Sequence, residues 1–123
     1  METGLSGRAT LEVTAADTAL ALRSGDVAVL ATPRLVAVCE EASCAAVAGH
    51  LDAGLTTVSR RVQFDHLAPT AVGDTVVVDA VLERAEGRRL TFTVSANDAS
   101  GLVGAGKVTR VVVDVASFLS RCS

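Results

Sequence analysis

The sequence predicts an α+β fold in which one long buried helix is wrapped by a curved antiparallel sheet. Three observations predict it. Between Thr32 and about Gly49 only Arg34, Glu40, Glu41 and Ser43 interrupt a surface of Leu, Val, Cys and Ala, and a helix apolar nearly all round must be enclosed by other elements. From Leu55 onward the apolar pattern has period two, the signature of strands with one face on a core. Half of the 123 residues are apolar, yet only Phe64, Phe92 and Phe118 are aromatic, so the core is built from Val, Leu and Ala, and so much Val belongs in a sheet.

In chain order, Gly7 to Thr14 reads as the first strand, with Leu11 and Val13 alternating with polar neighbours. An Ala-rich connection then leads to Ser24-Gly25-Asp26. The helix starts at Thr32-Pro33, where Thr is suited to cap the first turn and Pro at the first helical position loses no hydrogen bond. Its most apolar line is Leu35, Cys39, Ala42 and Ala46. Turn signals at Val72-Gly73-Asp74, Glu86-Gly87-Arg88 and Asn97-Asp98-Ala99-Ser100-Gly101 divide the rest into four long strands, about five in all. The runs Thr75–Val81 and Thr109–Val113 are expected to present unpaired edges, which a homodimer joins into a larger sheet.

A chain of 123 residues fits one domain, spanning 1–123. Its net charge of −3, with acids and bases interspersed, supplies no broad positive field for nucleic acid or an anionic membrane. No basic-then-apolar leader opens the chain, and the Val runs fall far short of the ~20 residues of a membrane span, so a cytoplasmic location is expected. Cys39 and Cys44, five apart on one helix, are too far separated along it for a disulfide and read as small buried hydrophobes. Cys122 sits in the C-terminal tail. The two histidines, His50 and His66, stand at unrelated places without clustered ligand spacing, in keeping with a metal-free site.

What remains for chemistry is a hydroxyl, a carboxylate and an imidazole: Thr32, Glu40 eight residues later, and His66 in Asp65-His66-Leu67-Ala68-Pro69-Thr70. Each also has a structural reading, Thr32 as a cap, Glu40 as a carboxylate at the helix margin, His66 as a surface residue. Glu40 and its neighbour Glu41 point roughly 100° apart, so at most one of them faces a given site. His66 closes the Thr57 to Leu67 strand just before a proline breaks the ladder, the place for a side chain at a site mouth. A neutral imidazole there suits a general base. Eight helical residues correspond to a rise of about 12 Å, so Thr32 and Glu40 of one chain cannot share a hydrogen bond. They contact different parts of a substrate, or meet across a dimer interface.

The order and spacing of these residues resemble the fluoroacetyl-CoA thioesterase family of the hotdog superfamily, which carries a Thr-x7-Glu pair and a His just before a short Pro/Thr segment. The resemblance runs from about Val29 to Phe118. It implies a hotdog fold, hydrolysis of a small or medium acyl thioester, and a site of Thr32, Glu40 and His66 as catalytic groups, with Pro33, Ser59 and Arg110 beside the substrate. Coenzyme A enters only as part of that substrate, with no separate cofactor, although the carrier is either coenzyme A or an acyl carrier protein. Arg60, Arg61, Arg88 and Arg89 are candidates for the phosphates of coenzyme A at a rim. From the unpaired edges, homodimers are expected, with pairing into dimers of dimers left open. Ser59 departs from the family, which commonly has Gly seven residues before the histidine, and the departure suggests a different acyl pocket. The alternative is a non-catalytic module that binds an acyl thioester or another small apolar ligand in the same pocket.

Overall fold

The computed structural model describes residues Met1–Cys122. Strand β1 (Ser6–Glu12) leads through a 3-10 turn (Ala15–Asp17) and a one-turn helix α1 (Ala19–Leu22) to the long helix α2 (Thr32–Val47). Strands β2 (Leu55–His66), β3 (Thr75–Glu86), β4 (Arg89–Asp98) and β5 (Gly101–Asp114) follow, closed by a short helix α3 (Val115–Ser120). All ladders are antiparallel, and the sheet order is β1-β3-β4-β5-β2. This is the hotdog arrangement expected, with α2 lying along the inner face of the sheet.

The core sits between them. Leu35, Cys39, Ala42 and Ala46, the apolar line read from the sequence, are all buried, and they face Val76, Val78, Phe92, Val94 and Val108 of the sheet. Gly7 lets β1 lie directly on α2, because a Cβ there would collide with the backbone of Ala42 and Ala46. The three turn signals fall between strands as predicted, with positive φ at Gly73, Gly87 and Gly101.

Four expectations are corrected. β1 ends at Glu12 rather than Thr14, because Thr14 turns away to cap the 3-10 turn through the Asp17 carboxylate. α2 stops at Val47 rather than Gly49, and its enclosure is one-sided: Pro33, Glu41 and Ala45 are exposed, since the sheet covers only one flank. Thr32 does not cap the helix. The N-cap is Ala31, without a side-chain hydrogen bond, and Pro33 occupies the second helical position, where its missing N–H is equally harmless. Lastly, β3 and β5 are interior strands, and the edges are β1 and β2. The Val runs that suggested edges are instead interior strands, paired on both sides in the ladder and burying one face on the core, where β-branched residues pack well.

The order of the sheet leaves β2 with one side unpaired along its 12 residues. Its ladder with β5 shifts register once, between Ser59 and Arg61, where Arg60 is an extra residue forming a bulge.

Candidate active site

His66 is the last residue of β2, and Thr32 opens α2. The sheet's curl brings them together: the Thr32 hydroxyl lies 2.7 Å from Nδ1 of His66. Thr32 reaches the ring because it is free of capping duty. With Ala31 at the N-cap offering no acceptor, no side chain caps the first-turn amides of α2 either. Nε2 of His66 is buried and has no hydrogen-bond partner among the described residues, a costly state that a bound group would relieve. Burial pushes the imidazole below the ordinary histidine value, against a smaller opposing effect from the Ala68 backbone. The ring is therefore neutral at pH 7, able to accept a proton.

In front of this pair lies an open cavity of about 640 Å3. One wall is the segment from Ser24 to Pro33, the other runs from His66 to Pro69. Both walls are tied down. Leu30 N–H donates to the Thr70 carbonyl at 2.9 Å and Leu67 N–H to the Val103 carbonyl at 2.8 Å, while the buried Thr70 hydroxyl donates to Asp98 at 3.0 Å. Beneath the first wall, Asp17 accepts from Thr14 N–H at 2.8 Å and from Arg34 Nε at 3.0 Å, joining the preceding segment to the first turn of α2. These bonds, the Thr14 backbone first, hold the Asp17 carboxyl below its usual value. Sequence reasoning missed Asp17, although the Thr14-x-x-Asp17 spacing is that of a capping box.

Of the remaining predicted site residues, Pro33 lines this cavity. Glu40, Arg110 and Ser59 form a second cluster farther along α2. Arg110, 8% exposed, donates from Nη1 to Glu40 at 2.8 Å, from Nε to the Thr57 hydroxyl at 2.9 Å and from Nη2 to the Thr57 carbonyl at 2.9 Å. Ser59, exposed at the open edge of β2, is the register partner of Arg110. Within one chain Glu40 and the Thr32–His66 pair thus stand apart, as the helical rise requires. The Arg110 guanidinium is occupied in holding Glu40 rather than presented to a ligand.

Arg60, Arg61 and Arg89 line a different groove of about 800 Å3, with Lys107 and Glu83, and none of them borders the cavity at His66. The cysteines are free thiols. Cys39 is buried, and burial, helped by Glu40, pushes its thiol up to about 12, which leaves no thiolate at neutral pH. No helix of the described residues is long and apolar enough to cross a membrane.

A family model described as fluoroacetyl-CoA-specific thioesterase, FlK, matches residues 13–116. The fluoroacetyl-CoA thioesterase of Streptantibioticus cattleyicolor is 37% identical over 93 residues, 76% of this chain and 67% of that protein. The solved structure of the fluoroacetyl-CoA thioesterase FlK superposes with a TM-score of 0.93 at 30% identity, over 99% of this chain and 95% of the other. A hot-dog-like protein from Thermanaerovibrio acidaminovorans superposes with a TM-score of 0.91 at 26% identity, over 99% and 90%.

Proposed function

Since the chain belongs to the fluoroacetyl-CoA-specific thioesterase family and is an acyl-CoA thioesterase, we propose that Thr32 and His66 are its reacting pair, with Glu40 completing the site across a homodimer. The observation that carries this reading is the 2.7 Å contact between a neutral imidazole and a hydroxyl released from capping. As Thr32 Oγ1 bonds to the thioester carbonyl carbon, Nδ1 of His66 takes its proton, and the carbonyl electron pair moves onto oxygen beside the uncapped first turn of α2, whose amides and dipole favour the negative charge. Collapse breaks the C–S bond and expels the coenzyme A thiolate, which takes up the proton. Water, losing its proton to His66, then bonds to the acyl carbon, the bond to Thr32 Oγ1 breaks, and His66 returns the proton to Oγ1 as the carboxylic acid leaves. A thiolate leaves readily, so the proposed route uses no metal or cofactor.

A second reading is favoured by the orphaned Nε2 of His66. If Nδ1 keeps the proton and donates it to Thr32, Nε2 carries the lone pair and activates water directly, with Thr32 fixing the tautomer.

The homodimer is supported by the open edge of β2, which carries Ser59 and ends in His66. Pairing β2 with its own copy would bring one chain's Glu40 and Ser59 towards the other's His66. Ser59 then narrows the acyl pocket where the family commonly has Gly, so the preferred acyl group is small or medium without being tied to fluoroacetyl. The proposal extends to the whole chain acting as one thioesterase domain in the cytoplasm, on coenzyme A thioesters, as dimers or dimers of dimers.

The test is hydrolysis across a panel of acyl-CoA chain lengths, followed by loss of thioester absorbance, with His66→Ala as control. Turnover abolished by that substitution is expected; acyl-CoA binding without turnover on any substrate would overturn the catalytic reading. Mixing inactive Glu40→Ala and His66→Ala proteins after co-refolding should restore activity if the site is shared between subunits, and should restore none if each chain works alone.

A further inference from the structure

Fourteen residues line the cavity in front of Thr32 and His66, and with His66 neutral only one of them, Asp26, carries a formal charge at pH 7. Its carboxylate has no hydrogen-bond or ion-pair partner among the described residues. No lysine or arginine lines the cavity to offset it. Arg34, the basic residue of α2, is paired with Asp17 at 3.0 Å and Glu41 at 3.6 Å, and Arg23, three residues before Asp26, is exposed and does not line the cavity.

The segment that carries Asp26 is also held in place. Its two ends are joined by a bridge between Thr18 and Leu30 and by Ala19 N–H donating to the Val29 carbonyl at 2.9 Å. Within it, Ser24 N–H donates to the Ala19 carbonyl at 3.0 Å, and Arg23 adopts the left-handed conformation with φ of 60°, ending α1 and turning the chain over the cavity. The loop's short span keeps the Asp26 charge at the cavity rim.

We propose that Asp26 is a specificity-determining residue whose carboxylate selects uncharged acyl groups over acyl groups that carry their own carboxylate. This deepens the thioesterase reading above and rests on it. A dicarboxylic monothioester placed with its carbonyl at Thr32 would bring a second negative charge into a cavity already holding one and no cation. Specificity then comes from repulsion of the wrong substrate rather than from an added contact to the right one. In an open, partly hydrated cavity, like charges several ångströms apart give a discrimination on the order of three- to tenfold, reduced by salt.

Butyryl-CoA and succinyl-CoA test this well, since both have four-carbon acyl chains and share every phosphate of coenzyme A, so only the terminal carboxylate differs. The expected result is a wild-type preference for butyryl-CoA in kcat/KM. The succinyl-to-butyryl ratio should then rise roughly three- to tenfold in Asp26→Asn, further in Asp26→Lys, and should converge with the wild-type ratio in concentrated salt. A ratio unmoved by both substitutions at low salt would overturn the proposal. Binding of the non-hydrolysable thioether analogues of both substrates, measured by calorimetry, reads the same ratio without turnover. An enzyme that hydrolysed neither of these two thioesters would leave the catalytic reading to the full acyl-CoA panel, while the analogue ratio would still decide the role of Asp26.

Discussion

Two regions along α2 gather the chemistry-bearing side chains, and they are built in opposite ways. At the N-terminus, Thr32 and His66 are neutral, face an open cavity and leave Nε2 without a partner. Farther along, Glu40 and Arg110 are charged, and Arg110 is buried with its hydrogen bonds directed to Glu40 and Thr57. Unsatisfied groups cost stability and persist where a ligand completes them; satisfied ones stiffen the frame that holds the first set. The first region holds the reacting pair, and in the second Arg110 fixes Glu40 in the position from which the proposed dimer would use it.

The sharpest way to break that contrast is Thr32→Val. If the hydroxyl serves the reaction, kcat/KM falls by about 100-fold or more, while stability falls by no more than about 1 kcal/mol through the lost bond to His66, because no cap is lost. Thr32→Ser should retain most of the activity. A stability loss of about 1 kcal/mol with activity kept would instead show a capping residue.

Arg110→Met should do the reverse. It strands Glu40 and removes the bonds to Thr57, and urea unfolding should register a loss of about 2–3 kcal/mol, below the range for fully enclosed pairs because the Glu40 side chain is 25% exposed. Any fall in activity should come with that loss and leave the acid limb of the pH profile in place. A variant of unchanged stability would show that the pair is not part of the frame.

The smallest effect sharpens the first region through pH. Burial lowers the pKa of His66 in the folded protein below its ordinary 6.5, so the unfolded chain takes up this proton first. The contribution of neutral His66 to stability is complete above about pH 6.5 and is lost as pH falls through the folded value. The acid limb of kcat/KM should likewise have its midpoint below 6.5, and His66→Asn should remove the corresponding part of the stability profile. A limb centred above 6.5 would contradict the buried, neutral ring.

Much of this was legible in the chain because it depends on local rules. Turn glycines and period-two runs set the strand limits, and an apolar line along α2 named the buried face. Thr32 and His66 could be located by residue type and by the breaks beside them, but their joint role came from the family resemblance rather than from local rules. What escaped the sequence depends on distant partners. Capping propensity assigned Thr32 to the helix end, and a histidine 34 positions away claimed its hydroxyl instead. Glu40 and Arg110 are 70 positions apart, so no local spacing announces their pair. Edge status is a property of sheet order, which placed β1 beside β3 and moved the Val-rich strands inward. The ordered loop before α2 rests on Asp17, whose bonds join segments that look merely Ala-rich in the sequence.

The extra residue in β2 settles a question of parity. Side chains along a strand alternate between faces, so Thr57 and His66, an odd and an even position on one strand, should point to opposite sides of the sheet. Yet Thr57 meets Arg110 and His66 meets Thr32, both on the side of α2. Between them, Ser59 and Arg61 face consecutive residues of β5, Arg110 and Thr109, which leaves Arg60 uncounted. That one uncounted residue resets the alternation, and without it a strand of the same composition would turn either its framework half or its reactive half out to solvent.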